Sequence, residues 1–411
     1  MAGKPAGLPR GARISDFVSL GVLTTTLPPD LIDRVLASTG RHSVRQRQLP
    51  ARLVVYYVVA LALYAQASST EVLRCLLDGI RWLRLGAQGL PIACKSAITQ
   101  ARERLGAEPL KQLYAAVARP LALPSTPGAW YREHRLVSLD GTTLELPDTP
   151  ALEEHYGRPG AARGTSACPQ LRLLTLVETG TRAVIAAAFG PYRTAETALV
   201  RHVLPQLRPG MLCLADRGFS GRALWRQAAG TGADLLWWVR GDRILPCLKA
   251  LPDGSYLSAL YASARHRRQD RGGIRVRVID YRLAGVAEAE PMYRLITTLL
   301  DPTSAPATEL AALYHERWQA EIVLGEIKVT LPGQRLILRS RRPDLVEQEV
   351  YGLLLAHFAL RQLMLQASGQ VGCDPDTLSF VHAVRVVRRH LPLHGALSPS
   401  PGPSAGQAHP G

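Results

Sequence analysis

Apolar residues recur at helical spacing from Asp16 to about Leu123, then give way after Tyr131 to alternating and short continuous apolar runs. In the first stretch Leu31, Val35 and Leu36 open one helix. The uncharged run from Leu53 to Thr70 gives a second helix with its exit turn, and Thr70 to Leu83 a third. Lys95 to Leu105 and Leu110 to Val117 continue the pattern. Beyond Tyr131, His134 to Asp140, Thr142 to Leu146, Leu171 to Glu178 and Ala183 to Phe189 read as strands punctuated by glycine turns. Thr194 to Leu207 reads as a helix, Met211 to Asp216 as a buried strand, Gly221 to Ala229 as a helix and Asp234 to Val239 as a strand. Hairpins followed by strand–helix alternation predict a mixed sheet flanked by helices.

From Gly241 to about Met292 the texture turns again, with turn signals at Pro252-Asp253-Gly254 and Gly272-Gly273 and short alternating runs. A β-rich insertion is expected there. Arg275 and Arg277 should form a basic face with Val276 and Val278 on the other. A last strand, Tyr293 to Leu300, leads to a helix around Glu321, and Asp344 with Glu347 behind Pro343 starts a long apolar helix to about Gln366. The expected division is a disordered basic N-terminus (1–13), a helical N-terminal domain (14–123) and a core in two parts (131–240 and 293–370) around the insertion (241–292). A C-terminal helical segment (371–395) and a disordered tail (396–411) follow.

Charge narrows the partner. Against 33 acidic side chains stand 49 basic ones, a balance of +16 over 411 residues. A polyanion, most simply nucleic acid, fits this balance, although a compositional bias toward arginine would also raise it. Arg41, Arg45, Arg47 and Arg52 follow one another with no intervening acid, a candidate phosphate-contacting connection whose plain alternative is a solvated loop. Six scattered cysteines form no CxxC pair and the histidines no HExxH, which speaks against a zinc site or disulfide framework and for a reducing cytosol. The first residues lack the profile of a secretory leader, and polar residues interrupt the run after Leu53, so no membrane role is expected.

The chemistry concentrates in YHERWQAEIVLGEIK. Tyr314, Arg317, Glu321 and Lys328 stand at about 0°, 300°, 340° and 320° around a straight α-helix. Cations bracketing one carboxylate on a single stripe suit a site that handles phosphate and metal together. An ordinary solvated face with i,i+4 pairs is the bland alternative. Asp140 and Asp216 each end an apolar strand just before a glycine-bearing turn, where α/β sheets present their ligands. Three carboxylates brought together need a cation, for which Mg²⁺, as two ions, is the natural choice and Mn²⁺ a substitute.

These motifs resemble a DDE transposase of the insertion-sequence 4 family, whose signature Tyr-(2)-Arg-(3)-Glu-(6)-Lys the four residues match in spacing. LDGTTLELPD around Asp140 and LADRGFSG around Asp216 are similar to its two aspartate motifs. The resemblance spans about residues 14 to 390. It implies an RNase H-like catalytic core and metal held by Asp140, Asp216 and Glu321, with DNA positioned by Tyr314, Arg317 and Lys328. It also implies a homodimer on double-stranded transposon ends and target DNA, in the bacterial cytoplasm. A base-stacking residue is implied before the last strand, where this chain has Tyr293, with Trp237 and Trp238 as rivals better suited to core. A copy of the same fold that binds DNA without cutting it, and an RNase H-like nuclease of other purpose, remain alternatives.

Overall fold

A computed structural model describes residues 23–43, 49–83, 92–161, 164–165, 168–282 and 292–389. The expected disordered ends, together with Arg45 and Arg47, lie outside the described residues.

Helices come first, among them α1 (Pro29–Ser38), α2 (Ala51–Leu63), α3 (Ser69–Leu83), α4 (Lys95–Leu105) and α5 (Glu108–Val117). Then comes a sheet whose longer strands are β1 (His134–Glu145), β2 (Gln170–Glu178), β3 (Ala183–Pro191), β4 (Met211–Ala215), β5 (Asp234–Val239), β6 (Tyr256–Leu260), β7 (Ile274–Tyr281) and β8 (Tyr293–Thr297). Across the sheet they run β3-β2-β1-β4-β5-β8-β7-β6. β1, β4 and β5 are parallel, and the remaining pairs along this path are antiparallel. Three antiparallel strands followed by two parallel ones on the far side of the first is the RNase H-like arrangement. Helices α6 (Glu196–Val203) and α7 (Arg222–Ala229) make the crossovers that parallel pairing requires.

Period-two alternation sorts the strand side chains. Val137 and Leu139 of β1 and Cys213 and Ala215 of β4 enter the core under α6 and α7. Leu136 and Leu144 of β1, and Leu212 and Leu214 of β4, point the other way. That second face is covered by α8 (Ala307–Tyr314) and α9 (Trp318–Gly325), with α10 (Pro343–Val371) and α11 (Phe380–Arg389) beyond. Asp140, Thr142 and Asp216 continue the even-numbered series and so face α8 and α9.

Several expectations change. β1 is one strand where two were expected. Gly141 is no turn, because it pairs with Leu174 and the ladder to β2 runs on to Glu145. The inserted strands extend the same sheet, β8 pairing with β5. Arg277 is buried instead of basic surface: it pairs with Asp253 and donates to the Ala305 carbonyl at 2.6 Å, which satisfies its forked donors. The long helix begins at Pro343 with Arg342 as its N-cap and no side-chain cap, since Asp344 is engaged by Arg342. The N-terminal helices share one apolar core with α10, where a Cβ at Gly352 would come within 2.7 Å of the Val58 carbonyl oxygen. No helix among the described residues is long and apolar enough to cross a membrane.

Candidate active site

The parallel ladder between β1 and β4 ends at Leu139 opposite Ala215. One step further in register stand Asp140 and Asp216, released from that ladder together and directed to the same face. Asp140 accepts from its neighbour, the Gly141 N–H, at 2.9 Å. Asp216 caps a short 3₁₀ turn, Arg217–Phe219, by accepting from the Gly218 N–H at 2.9 Å.

Across from them the signature segment departs from a straight α-helix. It is α8, a 3₁₀ turn (His315–Arg317), α9, then a π turn (Glu326–Thr330). The stripe nevertheless faces the two strands. The Tyr314 hydroxyl donates to the Ala215 carbonyl at 3.3 Å. Arg317 Nη2 donates to Glu321 Oε1 at 2.5 Å, and its Nη1 lies 3.9 Å from Asp140. Lys328 Nζ donates to Thr142 Oγ1 at 3.0 Å. Arg317 is 8% exposed and its Nε has no partner, so it is a buried cation aimed between acids.

Burial pushes the Asp140 carboxyl up to about 6. The Gly141 N–H and Arg317 oppose that rise, while the Glu321 and Asp216 carboxylates add to it. The three acids are thus electrostatic neighbours with Arg317 among them. Among the described residues no three such ligands, as placed, are close enough together to hold a metal ion. Glu321, with 39% of its side chain exposed, has room to turn away from Arg317.

The Tyr314 phenol, expected among the DNA-positioning residues, is turned into the fold. It is 5% exposed, and burial raises its pKa well above the usual phenol range. Its visible role is to tie the signature helix to the strand that carries Asp216. Tyr293 does not stand alone. Its ring stacks on Tyr281 (5.2 Å, 21° between planes) and lies 5.5 Å from Trp238. Trp237 is core, edge-on to Trp225. Trp238 is not: it is half-buried, with the Arg217 guanidinium 4.7 Å above its ring. Thr142 joins the site without having been singled out by the sequence pattern. Its one signal there is its place two residues after Asp140, which puts both side chains on one face.

Known proteins resemble this chain over most of its length. Residues 17–115 match the family profile described as insertion element 4 transposase N-terminal, and residues 131–359 the profile described as transposase DDE domain. The transposase InsG for insertion sequence element IS4 of Escherichia coli (strain K12) is 31% identical over 383 residues, covering 92% of this chain and 83% of InsG. The putative transposase InsZ of the same strain is 28% identical over 215 residues, 51% of this chain and 68% of InsZ. Among solved structures, a piggyBac transposase synaptic complex with hairpin DNA aligns over 90% of this chain and 79% of its own, with a TM-score of 0.46 and 13% identity. On the two profiles and the InsG match, the chain belongs to the insertion-sequence 4 family of transposases and carries its DDE domain.

Proposed function

We propose that the protein binds the terminal repeats of a transposable element, cleaves DNA there and joins the freed end to target DNA. Asp140, Asp216 and Glu321 are its metal-holding acids. One observation carries the reading: two aspartates leave a parallel ladder at the same register step, on the face that the Glu321 helix covers.

The donor set is all carboxylate oxygen, which suits Mg²⁺ or Mn²⁺ and not a soft metal. Three partly exposed carboxylates facing one another, with Asp140 already pushed toward its protonated form, favour a divalent cation over a single guanidinium. Two bound ions would supply activation of the attacking oxygen and charge relief for the departing one. Arg317, freed from Glu321, makes a forked contact to the phosphate beside the scissile bond, and Lys328 offers a second cation from its place on Thr142. Tyr314 acts at one remove by holding the helix against β4.

In cleavage, a water oxygen bonds to phosphorus as the bond to the 3′ oxygen breaks, the water gives up a proton to solvent, and the departing 3′ oxygen takes one up. The element end leaves as a 3′-hydroxyl and the flank keeps the 5′-phosphate. In joining, that 3′ oxygen bonds to a target phosphorus and a target 3′ oxygen leaves in turn. The helical region 14–123 holds the end repeats, two copies assemble on the DNA, and Tyr293 with its aromatic neighbours takes an unpaired base. The reaction belongs to the bacterial cytoplasm, where the chromosome is.

The test is nicking of an end-repeat duplex by purified protein with Mg²⁺ and with chelator. Strand cuts at the repeat terminus in Mg²⁺ alone support the proposal. Tight binding without cuts in either condition supports the binding-only copy instead, and cuts never followed by joined products support a nuclease of other purpose.

A further inference from the structure

The signature helix changes its winding in the one turn that carries Lys328. From Trp318 it is α-helical to Gly325, and it then widens into the π turn of Glu326–Thr330, where the Leu331 N–H reaches back to the Glu326 carbonyl at 2.7 Å. A π turn packs an extra residue into the helix, so side chains in and beyond it are rotated relative to Glu321. Such turns are rare and frequent at functional sites, so what packs against this one is informative.

The partner here is a buried cluster on α10. Glu326 is 5% exposed, and its carboxylate accepts from Arg361 through Nη2 and through Nε at 3.1 Å, and from His357 Nε2 at 3.0 Å. Arg361 is buried with its guanidinium 4.8 Å from the Phe380 ring of α11. The His357 ring packs 5.4 Å from the same Phe380, and its Nδ1 has no partner. Burial lowers the pKa of His357, so it is neutral beside Glu326 and the pair that remains charged is Glu326 with Arg361. A buried ion pair is a poor source of stability compared with apolar packing, but removing one partner is costly, which keeps Glu326 on Arg361. What it fixes lies two residues on: Lys328 Nζ on Thr142 Oγ1, on the face of β1 that carries Asp140.

We propose that Glu326, clamped by Arg361 and His357, is a positioning residue that holds the π turn open and thereby sets the Lys328 ammonium against Thr142 beside the catalytic acids. The consequence for cleavage rests on the reading of Lys328 as a phosphate contact. The placement of Lys328 does not.

Two readouts on the full chain test this separately. The first is the rate of acetylation of Lys328 by an amine-reactive ester, followed by mass spectrometry with the exposed Lys111 as internal reference. Glu326→Gln should raise labelling of Lys328 severalfold relative to Lys111, because the ammonium is no longer held on Thr142. An unchanged ratio overturns the proposal. The second is single-turnover cleavage of an end-repeat duplex by Glu326→Gln, Lys328→Ala and the double variant. Each single change is expected to slow the chemical step about tenfold, with DNA affinity altered much less. The double variant should be no slower than Lys328→Ala, because both act through one group. Losses that multiply to about a hundredfold mean Glu326 acts elsewhere, and the inference fails. Enhanced labelling with Lys328→Ala cleaving at the wild-type rate upholds the positioning and overturns the phosphate role of Lys328. If Glu326→Gln does not fold, as judged by circular dichroism and thermal melting, Glu326→Asp replaces it, keeping the charge but withdrawing it by one methylene, under the same criteria.

Discussion

Arg317 Nη2 donates to Glu321 Oε1 at 2.5 Å, and its other amino group lies 3.9 Å from Asp140, so one guanidinium bridges the distance between two of the three acids. This pairing sets what each side chain should do when removed. Glu321→Gln keeps a hydrogen-bond acceptor for Arg317 but removes a charge from the proposed metal-holding set. Binding to end-repeat DNA should stay within about twofold, while cleavage in Mg²⁺ falls by about a thousandfold or more. Gel-shift and cleavage assays on one duplex decide it. Cleavage persisting at the wild-type rate would exclude Glu321 from the chemistry.

Arg317→Ala should behave differently. It removes the proposed forked phosphate contact and leaves Glu321 and Asp140 facing each other without a cation. Both active-site binding and cleavage should weaken, cleavage by about tenfold to a hundredfold. Because carboxylate repulsion then grows, the variant should also gain more thermal stability from added Mg²⁺ than the wild type does. Melting curves across a Mg²⁺ series measure this, and equal gains in the two proteins would contradict the role of Arg317 as internal counter-charge.

Asp140 predicts a pH dependence. Its folded-state pKa is raised to about 6 from the ordinary 3.8, so between those values the folded chain holds a proton that the unfolded chain has lost. Stability therefore falls as pH rises through this window, and above it the ionised group costs on the order of 2–3 kcal/mol. Asp140→Asn should abolish that cost in metal-free protein: more stable than wild type at pH 7, little different at pH 4, and inactive. Chemical denaturation at both pH values is the measurement. An Asn variant less stable at pH 7 would show that the carboxylate is stabilised by Arg317 more than it is penalised by burial.

Gly352 gives a purely mechanical prediction. A Cβ there would lie 2.7 Å from the Val58 carbonyl oxygen, between two helix backbones that cannot move apart without opening the shared core. Gly352→Ala should destabilise by about 1–3 kcal/mol, despite the better helix propensity of alanine. The helical N-terminal region and the sheet domain should lose structure together in one transition. Separate transitions in calorimetry would mean the two parts are energetically independent.

What the sequence reveals and hides has physical causes. Asp140 and Asp216 are legible in the sequence as the acids that end LVSLD and MLCLAD, but their shared face follows only from the parallel register of β1 and β4. Where strands end is set by partners: β1 continues through Gly141 because β2 is there to pair with it. The stripe of Tyr314, Arg317, Glu321 and Lys328 is legible under an ideal winding that the segment does not keep, with a 3₁₀ turn before Glu321 and a π turn after it. The reason for the second irregularity lies 31 and 35 residues away, in His357 and Arg361, beyond any local period. Arg277 misleads for the same reason: its charge suggests solvent, and only the fold supplies Asp253 to bury it against.

Tyr293 yields the last prediction. Its ring is one of a row, stacked on Tyr281 and near Trp238, with Arg217, next to Asp216, over the tryptophan. On the proposed reading this row of half-buried aromatic rings stacks an unpaired base at the cleavage point, and each stacked base contributes roughly 1–3 kcal/mol. Tyr293→Ala should therefore weaken binding to an end duplex with an unpaired terminal base by about tenfold, and binding to the fully paired duplex far less. Tyr293→Phe should retain both affinities, since stacking needs the ring and not the hydroxyl. Fluorescence of 2-aminopurine at the terminal position reports the stacking directly. Equal losses on paired and unpaired ends would reduce Tyr293 to a packing residue of the inserted strands.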